Sequence, residues 1–214
     1  KKNKRNNYST CDFRDKWLVA QKCKLLVVAC NTATTNAISQ LREYFSIPFV
    51  GIEPAIKPAA LDSKTGVIGV LATAGTLTST LFQSTSQDYT QGLEVISEIG
   101  HGLVGLVEEG KADSQATEKQ LRDILYPMLK KPIDHLVLGC THYPFLTPAL
   151  KKILPENVVI VDCSRAVAKQ TRRLLDLHNL HNKVGGRIAY YTTASPKIEF
   201  WKSFGVYYVN QLTI

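Results

Sequence analysis

The feature that most constrains the fold is a short pattern that occurs twice: an apolar run that ends in a cysteine and continues into small polar residues. The first copy extends from Lys24 to Thr34 and carries Cys30, and the second extends from His135 to Pro144 and carries Cys140. Such a run predicts a strand that is buried on both faces and leads into a helix. Because the equivalent position is a thiol in both copies, we predict a pseudo-symmetric site that a cysteine reaches from each side.

Strand and helix patterns alternate along the whole chain. Apolar strand patterns cover residues 25–29, 47–52, 66–71, 93–99, 135–139, 158–161 and 185–191, and they alternate with helical patterns at residues 15–22, 37–45, 55–61, 77–86, 102–109, 114–130, 148–154 and 165–177. This alternation predicts an α/β protein with parallel sheets, whose ligand lies at the carboxyl ends of the strands. Together with the repeat, it predicts two pseudo-symmetric, doubly wound parallel-sheet halves with the active site in the cleft between them.

The repeat also predicts where the two halves divide. We assign residues 1–52 and 164–214 to the first half and residues 53–163 to the second half. The chain then crosses between the halves near Glu53 and returns near Cys163. In this arrangement Cys30 and Cys140 face one another across the cleft.

Composition limits the setting in which the chain works. The five cysteines are an odd number in a chain of 214 residues, which is long enough to bury a core without disulfides, so we expect reduced thiols and a cytoplasmic location. No apolar run approaches the roughly 20 residues that cross a bilayer, and we expect no membrane contact. The formal net charge of +8 is spread over helical patterns without a nucleic-acid-binding motif, which favours a solvated basic surface over nucleic-acid binding.

The positions of Cys30 and Cys140 make them candidates for catalysis. A cysteine at the start of a helix lies near unpaired N–H groups and the positive end of the helix dipole, and both lower the pKa of a thiol. A single cysteine at a strand end is more often a small buried residue, but two at equivalent positions of a repeat favour a chemical role. Cys11, Cys23 and Cys163 lack this context, and we interpret them as structural.

Two further kinds of side chain are candidates for proton transfer. His142, two residues after Cys140, is a candidate proton donor or substrate contact, with a hydrogen-bonded core histidine as the alternative. Glu108 or Glu109 is a candidate acid near the thiols, or else a solvated helix end. Cys140 and His142 lack the spaced third and fourth ligands that zinc requires, so we expect no metal.

Short hydroxyls and amides near the predicted helix starts suit the carboxylate and amino groups of a small substrate. These groups are Asn31, Thr32, Thr34, Thr141 and the segment 73–76. The sequence contains no glycine-rich phosphate loop and no other cofactor signature, and we expect no cofactor.

Three segments together resemble the bacterial glutamate racemases of the aspartate/glutamate racemase superfamily. They are Val27–Thr34, Leu106–Gly110 and Leu138–Pro144. The resemblance extends from about residue 15 to about residue 195, and the paired cysteine motifs are highly specific for this family.

The resemblance implies that L- and D-glutamate are interconverted without a cofactor and that D-glutamate is supplied for peptidoglycan. Proton removal from one face of the α-carbon and return to the other face needs two acid/base groups on opposite sides. By the resemblance, Cys30 and Cys140 are this pair, His142 assists Cys140, and Glu108 tunes the same side. The family's positions for binding glutamate match Asn31, Thr32, Thr141 and His142. The oligomeric state stays open, with a homodimer as one alternative.

The sequence departs from the family before Cys30, where neither an Asp-Ser-Gly strand nor a Pro-Tyr-Gly segment occurs. In the family the aspartate of the first motif assists the first cysteine. We therefore expect little racemase activity from the 214 residues alone. Two alternatives stay open: a catalytically impaired, racemase-like binding or regulatory protein or fragment, and a racemase of aspartate or another amino acid.

Overall fold

The computed structural model describes residues 14–182 and 184–193 and the backbone of residues 210–211. Its strands are β1 (Leu26–Val28), β2 (Phe49–Gly51), β3 (Val67–Ala72), β4 (Glu94–Ile99), β5 (His135–Gly139), β6 (Val159–Val161), β7 (Tyr191–Thr192) and β8 (Asn210–Gln211). Its helices are α1 (residues 14–20), α2 (Asn31–Tyr44), α3 (Ile56–Asp62), α4 (Ala74–Leu77), α5 (Thr80–Tyr89), α6 (Leu103–Glu108), α7 (Gln115–Leu129), α8 (Thr147–Lys151) and α9 (Ser164–Leu177), with a 3-10 turn at Tyr143–Leu146.

The described strands form parallel sheets. One sheet contains β1 and β2, and another has the order β4-β3-β5-β6, while β7 pairs with β8. Helices connect β1 to β2 and connect the successive strands of the four-stranded sheet, as parallel pairing requires. The α/β prediction is confirmed, and the separate β1–β2 and β3–β6 sheets are consistent with two halves. The residue bounds of the two halves stay a prediction.

The four-stranded sheet is covered by helices on both faces. On one face, Val67 and Leu71 of β3 pack with residues of α6, α7 and α8. On the other face, Ile68, Val70 and Ala72 pack with residues of α3 and α5. Neighbouring residues of β3 therefore point to opposite cores, which explains why the strand is apolar throughout.

The first cysteine strand differs from the prediction that it is buried on both faces. Leu26 is buried, but Val27 is 40% exposed and Cys30 is also exposed. The structure shows β1 paired with β2 along one edge within the described residues, whereas β5 lies between β3 and β6. An apolar run indicates a strand, but its burial depends on the neighbours that the fold supplies.

The predicted strand over residues 185–191 is wrong. The described backbone is irregular from residue 184 to residue 190, and extended pairing begins at Tyr191. Val184 and Ile188 are each 80% exposed, so this apolar stretch does not enter a core. Tyr191 instead packs edge-on against Trp17 of α1, with the ring centroids 4.9 Å apart.

Candidate active site

The order of the four-stranded sheet creates a crevice between β3 and β5. The chain leaves β3 toward β4 on one side and later returns to β5 on the other side, so the direction of winding reverses between these two strands. Ligands of doubly wound sheets bind at this reversal, outside the carboxyl ends of the strands. Ala72 pairs with Gly139 at these ends, and Thr73 and Cys140 follow directly.

The Cys140 thiol lies in a tightly packed position at the end of β5. The residue is 8% exposed. A Cβ atom on the preceding Gly139 would lie 2.6 Å from the Cβ of Ala72 and 3.4 Å from Cγ of Pro54, so a side chain larger than hydrogen does not fit there. Burial raises the pKa of the Cys140 thiol, although the backbone N–H groups of His142 and Tyr143 act to lower it. Cys140 therefore holds its proton near neutral pH.

Cys140, His142 and Glu108 form a connected chain of polar groups. The Cys140 sulfur lies 3.9 Å from Nδ1 of His142, and Nε2 of the same ring lies 3.3 Å from Oε1 of Glu108. A hydrogen on Nε2 that is donated to Glu108 leaves the lone pair of a neutral ring on Nδ1, facing the sulfur. The arrangement can take a proton from the thiol or return it.

The structure places Cys30 directly before α2, at the N-cap position and in extended backbone conformation. The Thr34 N–H donates to the Cys30 carbonyl at 2.8 Å. The Thr34 hydroxyl donates to the carbonyl of Val28 at 3.1 Å and accepts from the N–H of Ile52 at 2.9 Å. These bonds hold the start of α2 against the ends of both strands of the first sheet, and they fix the backbone that carries Cys30.

The two predicted catalytic thiols interact electrostatically. After burial and the N–H contact from His142, the negative charge of a Cys30 thiolate is a further contribution, and it raises the pKa of Cys140. Such an effect requires that the two sulfur atoms lie close to one another. Thr141 and His142 are partly exposed beside Cys140, and Asn31 and Thr32 begin α2 beside Cys30. The structure therefore brings the predicted site residues to one region.

Asn31 has an unusual environment. It is 2% exposed, and its side-chain amide has no nitrogen or oxygen partner among the described residues. The amide instead lies near the thiol of Cys163, the residue before α9. Burial raises the pKa of this thiol, and the amide partly offsets the rise. Cys163, which we interpreted as structural, thus lies next to a predicted substrate-binding residue.

The hydroxyl group of Thr32 joins the turn that follows β3. Its Oγ1 atom lies 2.7 Å from Oγ1 of Thr73 and 3.1 Å from Oγ1 of Thr76, and the latter two atoms are 3.0 Å apart. The sequence predicted hydroxyls for this site from both segments. It did not indicate that the segments touch, because they are more than 40 residues apart.

The structure places His135 at the amino end of β5. Its Nδ1 atom lies 2.8 Å from Oδ1 of Asp134, and its Nε2 atom lies 3.4 Å from Oδ2 of Asp62. Asp134 also accepts hydrogen bonds from the backbone N–H groups of Lys64 and Thr65. This cluster lies at the end of the strand opposite to Cys140 and is structural.

The described part of the chain contains no group of three or more His, Cys, Asp or Glu side chains arranged to hold a metal ion. No helix in residues 14–182 or 184–193 has both the length and the apolar character needed to span a membrane.

The sequence matches the family of Asp/Glu/hydantoin racemases over residues 11–171, and the chain belongs to this family. Two curated relatives are glutamate racemases. That of Ectopseudomonas mendocina is 45% identical over 171 residues, which are 79% of this chain and 65% of the relative. That of Herpetosiphon aurantiacus is 44% identical over 181 residues, which are 84% of this chain and 71% of the relative. The chain thus spans about two thirds of the length of these relatives.

Solved structures show the same similarity in three dimensions. Escherichia coli glutamate racemase, crystallised with L-glutamate and the activator UDP-MurNAc-Ala, superposes with a TM-score of 0.87 at 30% identity, over 99% of this chain and 83% of that chain. A glutamate racemase of Bacillus anthracis superposes with a TM-score of 0.84 at 29% identity, over 100% of this chain and 82% of that chain. The fold is therefore that of the glutamate racemases.

Proposed function

We propose that this chain carries the racemisation of glutamate by a cofactor-independent, two-cysteine mechanism, with Cys30 and Cys140 as the acid/base pair. The observation that carries this proposal is the pair of thiols at equivalent strand-to-helix junctions, which are close enough for the charge of one to raise the pKa of the other. The relatives named glutamate racemase support glutamate as the substrate.

In the proposed reaction, one thiolate removes the α-hydrogen of glutamate as a proton and becomes a thiol. The electron pair stays on the α-carbon, where the adjacent carboxylate and ammonium groups flank a planar carbanion-like centre. The opposite thiol then gives its proton to the other face and becomes a thiolate. One C–H bond breaks and one forms, no electron leaves the site, and the two thiols exchange roles.

In this proposal, different groups assist the two thiols. His142 and Glu108 serve as positioning and proton-transfer groups on the Cys140 side, where burial raises the pKa of the thiol. Asn31, Thr32 and Thr141 are our proposed contacts to the polar ends of glutamate. The amide of Asn31 supports this role, because beside the Cys163 thiol it keeps donor and acceptor capacity that the described residues do not use.

In this proposal the product is D-glutamate for peptidoglycan synthesis. We also propose a cytoplasmic location, because the exchange of protons between two thiols requires a compartment in which they stay reduced. The two halves of the molecule, residues 1–52 with 164–214 and residues 53–163, belong to the same proposal, because each would contribute one of the thiols.

The test is proton exchange in deuterium oxide with each glutamate enantiomer separately, followed long enough to measure the low turnover that we expect from these 214 residues. Cys30→Ala and Cys140→Ala should each lose racemisation by at least about 100-fold, since general acid/base groups commonly contribute that much or more. Each variant keeps one thiol on one face. We therefore expect each to exchange the α-hydrogen of one enantiomer without inversion, and the two variants to act on opposite enantiomers.

Cys23→Ala is the matched control, because Cys23 is a partly buried free thiol that packs against the core of the first sheet. It should exchange and invert both enantiomers as the parent chain does. Exchange of the same enantiomer by both active-site variants would contradict the placement of the thiols on opposite faces. Racemisation by a Cys30→Ala, Cys140→Ala double variant would contradict the mechanism itself.

A further inference from the structure

The turn after β3 makes a close contact with the start of α2, and we call this contact the seam. It consists of Thr32 and Asn36 of α2 and of Thr73, Gly75 and Thr76 of the turn. The three threonine hydroxyls lie within 2.7 to 3.1 Å of one another. The side-chain N–H of Asn36 donates to the Gly75 carbonyl at 3.2 Å and to the Thr32 carbonyl at 2.8 Å. Hydrogen bonds between side chains, and from a side chain to a backbone carbonyl, therefore connect the two segments.

The seam has no room for a side chain at position 75. A Cβ atom on Gly75 would lie 2.7 Å from Cγ2 of Thr32, which is closer than two carbon atoms can approach without movement. The backbone of Gly75 is not in the left-handed region, so alanine could adopt its conformation. Glycine is needed at this position for the close approach of α2, and not for the shape of the turn.

Each side of the seam leads directly to a cysteine. Thr32 is two residues from Cys30 on α2. Thr73 directly follows Ala72, which is paired with Gly139, and Gly139 directly precedes Cys140. The path from one thiol to the other through the seam thus consists of one helix start, three hydroxyl contacts and one backbone pairing.

We infer that the seam sets the separation between the Cys30 and Cys140 thiols, and that Gly75 is a positioning residue for proton transfer. This inference rests on the proposed function. An added methyl group at position 75 would push the start of α2 away from the turn and increase the gap between the two thiols. Misplacement of reacting groups by about 1 Å can reduce a rate by about 100-fold.

The experiment compares Gly75→Ala with Gly105→Ala. Gly105 also lies in a short helix of the second half, and a Cβ atom there meets nothing within 4 Å. We expect Gly75→Ala to lower kcat for glutamate by about 10- to 100-fold with a much smaller change in KM, because the geometry of the thiols changes more than the binding groups do. Gly105→Ala should retain the parent kcat and KM.

A second variant separates the contact from a general loss of folding. Thr32→Ser removes the Cγ2 methyl group that faces Gly75 and keeps the hydroxyl group. The Gly75→Ala, Thr32→Ser double variant should recover most of the kcat of Thr32→Ser alone, since the clash is gone. If the double variant instead shows the product of the two single losses, the clash is not the cause and the inference is overturned.

The reaction rate of Cys140 with iodoacetamide does not depend on turnover, so it tests this inference separately from the proposed function. At a pH above the ordinary pKa of a thiol, replacing Cys30 by serine removes a neighbouring negative charge, so Cys140 should react faster with iodoacetamide. This acceleration should shrink when Gly75→Ala is present and stay unchanged with Gly105→Ala. A parent chain without turnover would contradict the proposed function alone. An equal acceleration in the Gly75→Ala and Gly105→Ala backgrounds would overturn the seam's role.

Discussion

The two cysteine-bearing units share a sequence pattern but differ in burial. In the Cys140 unit, all five residues of β5 are buried and the thiol is 8% exposed. In the Cys30 unit, β1 has three residues that are respectively buried, exposed and intermediate, and the thiol is exposed. The comparison shows that a local pattern places a thiol at a helix start, whereas neighbouring strands decide how strongly that thiol is desolvated.

The difference has a chemical consequence for the proposed mechanism. A buried thiol keeps its proton to higher pH, and Cys140 also has His142 at hand to accept or return that proton. The exposed Cys30 is held mainly by the backbone of the α2 start and by the seam. The two faces of the substrate would therefore meet an assisted, desolvated thiol and a solvated one. The first and third of the next three predictions test this asymmetry, and the second tests what stabilises the opposite end of β5.

The largest expected effect is on stability and compares the two strands. Leu136→Ala in β5 removes a fully buried side chain and should lower the free energy of unfolding by about 2–5 kcal/mol. Val27→Ala in β1 removes a side chain that is 40% exposed and should cost under about 1 kcal/mol. Urea unfolding followed by circular dichroism measures both. Equal losses would show that β1 is as well covered as β5 in solution.

A smaller effect is expected at the amino end of β5. Burial opposes the ionisation of Asp134, yet hydrogen bonds from His135, Thr65, Lys64 and Ser63 keep its pKa well below the usual range. Asp134→Ala leaves these donors without a partner and should cost about 1–3 kcal/mol at pH 7.

The pH dependence of this effect has a definite sign. A carboxylate with a lowered pKa in the folded state stabilises above its unfolded pKa of about 3.9, and this stabilisation is lost as the pH falls below that value. The difference between the parent chain and Asp134→Ala should therefore shrink between about pH 5 and pH 3. Asp123→Ala, at an exposed acid on α7, is the control. A difference that grows on acidification would contradict the assigned role.

The smallest effect concerns the groups that assist Cys140. Glu108→Gln removes the carboxylate that holds His142 with Nδ1 toward the sulfur, so Cys140 should react with iodoacetamide up to about tenfold more slowly. Glu109→Gln is a matched control, because the Glu109 carboxylate pairs with Lys111 at 2.8 Å. Peptide mapping by mass spectrometry would measure the rate at Cys140 separately. Equal rates in the two variants would show that Glu108 does not act on the thiol.

Much of the four-stranded sheet and of the helices that cover it could be predicted from the sequence, because these elements have strong local patterns. The pattern over residues 114–130 predicted α7 to within a residue at each end, since Leu121, Leu125 and Met128 form one apolar face. The predicted helix over residues 77–86 corresponds to α5, which begins three residues later, and the predicted turn before it contains the short helix α4. The Thr73 and Ser79 side chains accept hydrogen bonds from Thr76 and Phe82 N–H groups, and these bonds begin α4 and α5 separately.

The candidate site could be predicted only where its residues are near in sequence. Cys140 and His142 are two residues apart, so their contact follows from the strand end and the turn. Glu108 was assigned through the resemblance, because the sequence alone does not show which carboxylate reaches His142. Contacts between segments, such as Thr32 with Thr73, depend on how the sheets pack together, and no local pattern indicates that packing.

The lack of space around Gly139 has a consequence for protein engineering. Any side chain at this position would collide with Ala72 of the neighbouring strand, so the backbone under Cys140 cannot be re-shaped there by substitution. Variant libraries intended to change which amino acid is accepted should keep glycine at position 139 and draw their diversity from partly exposed positions such as Thr141. Selection for a new substrate would then alter the shape of the cleft while the strand that carries the second cysteine stays in register.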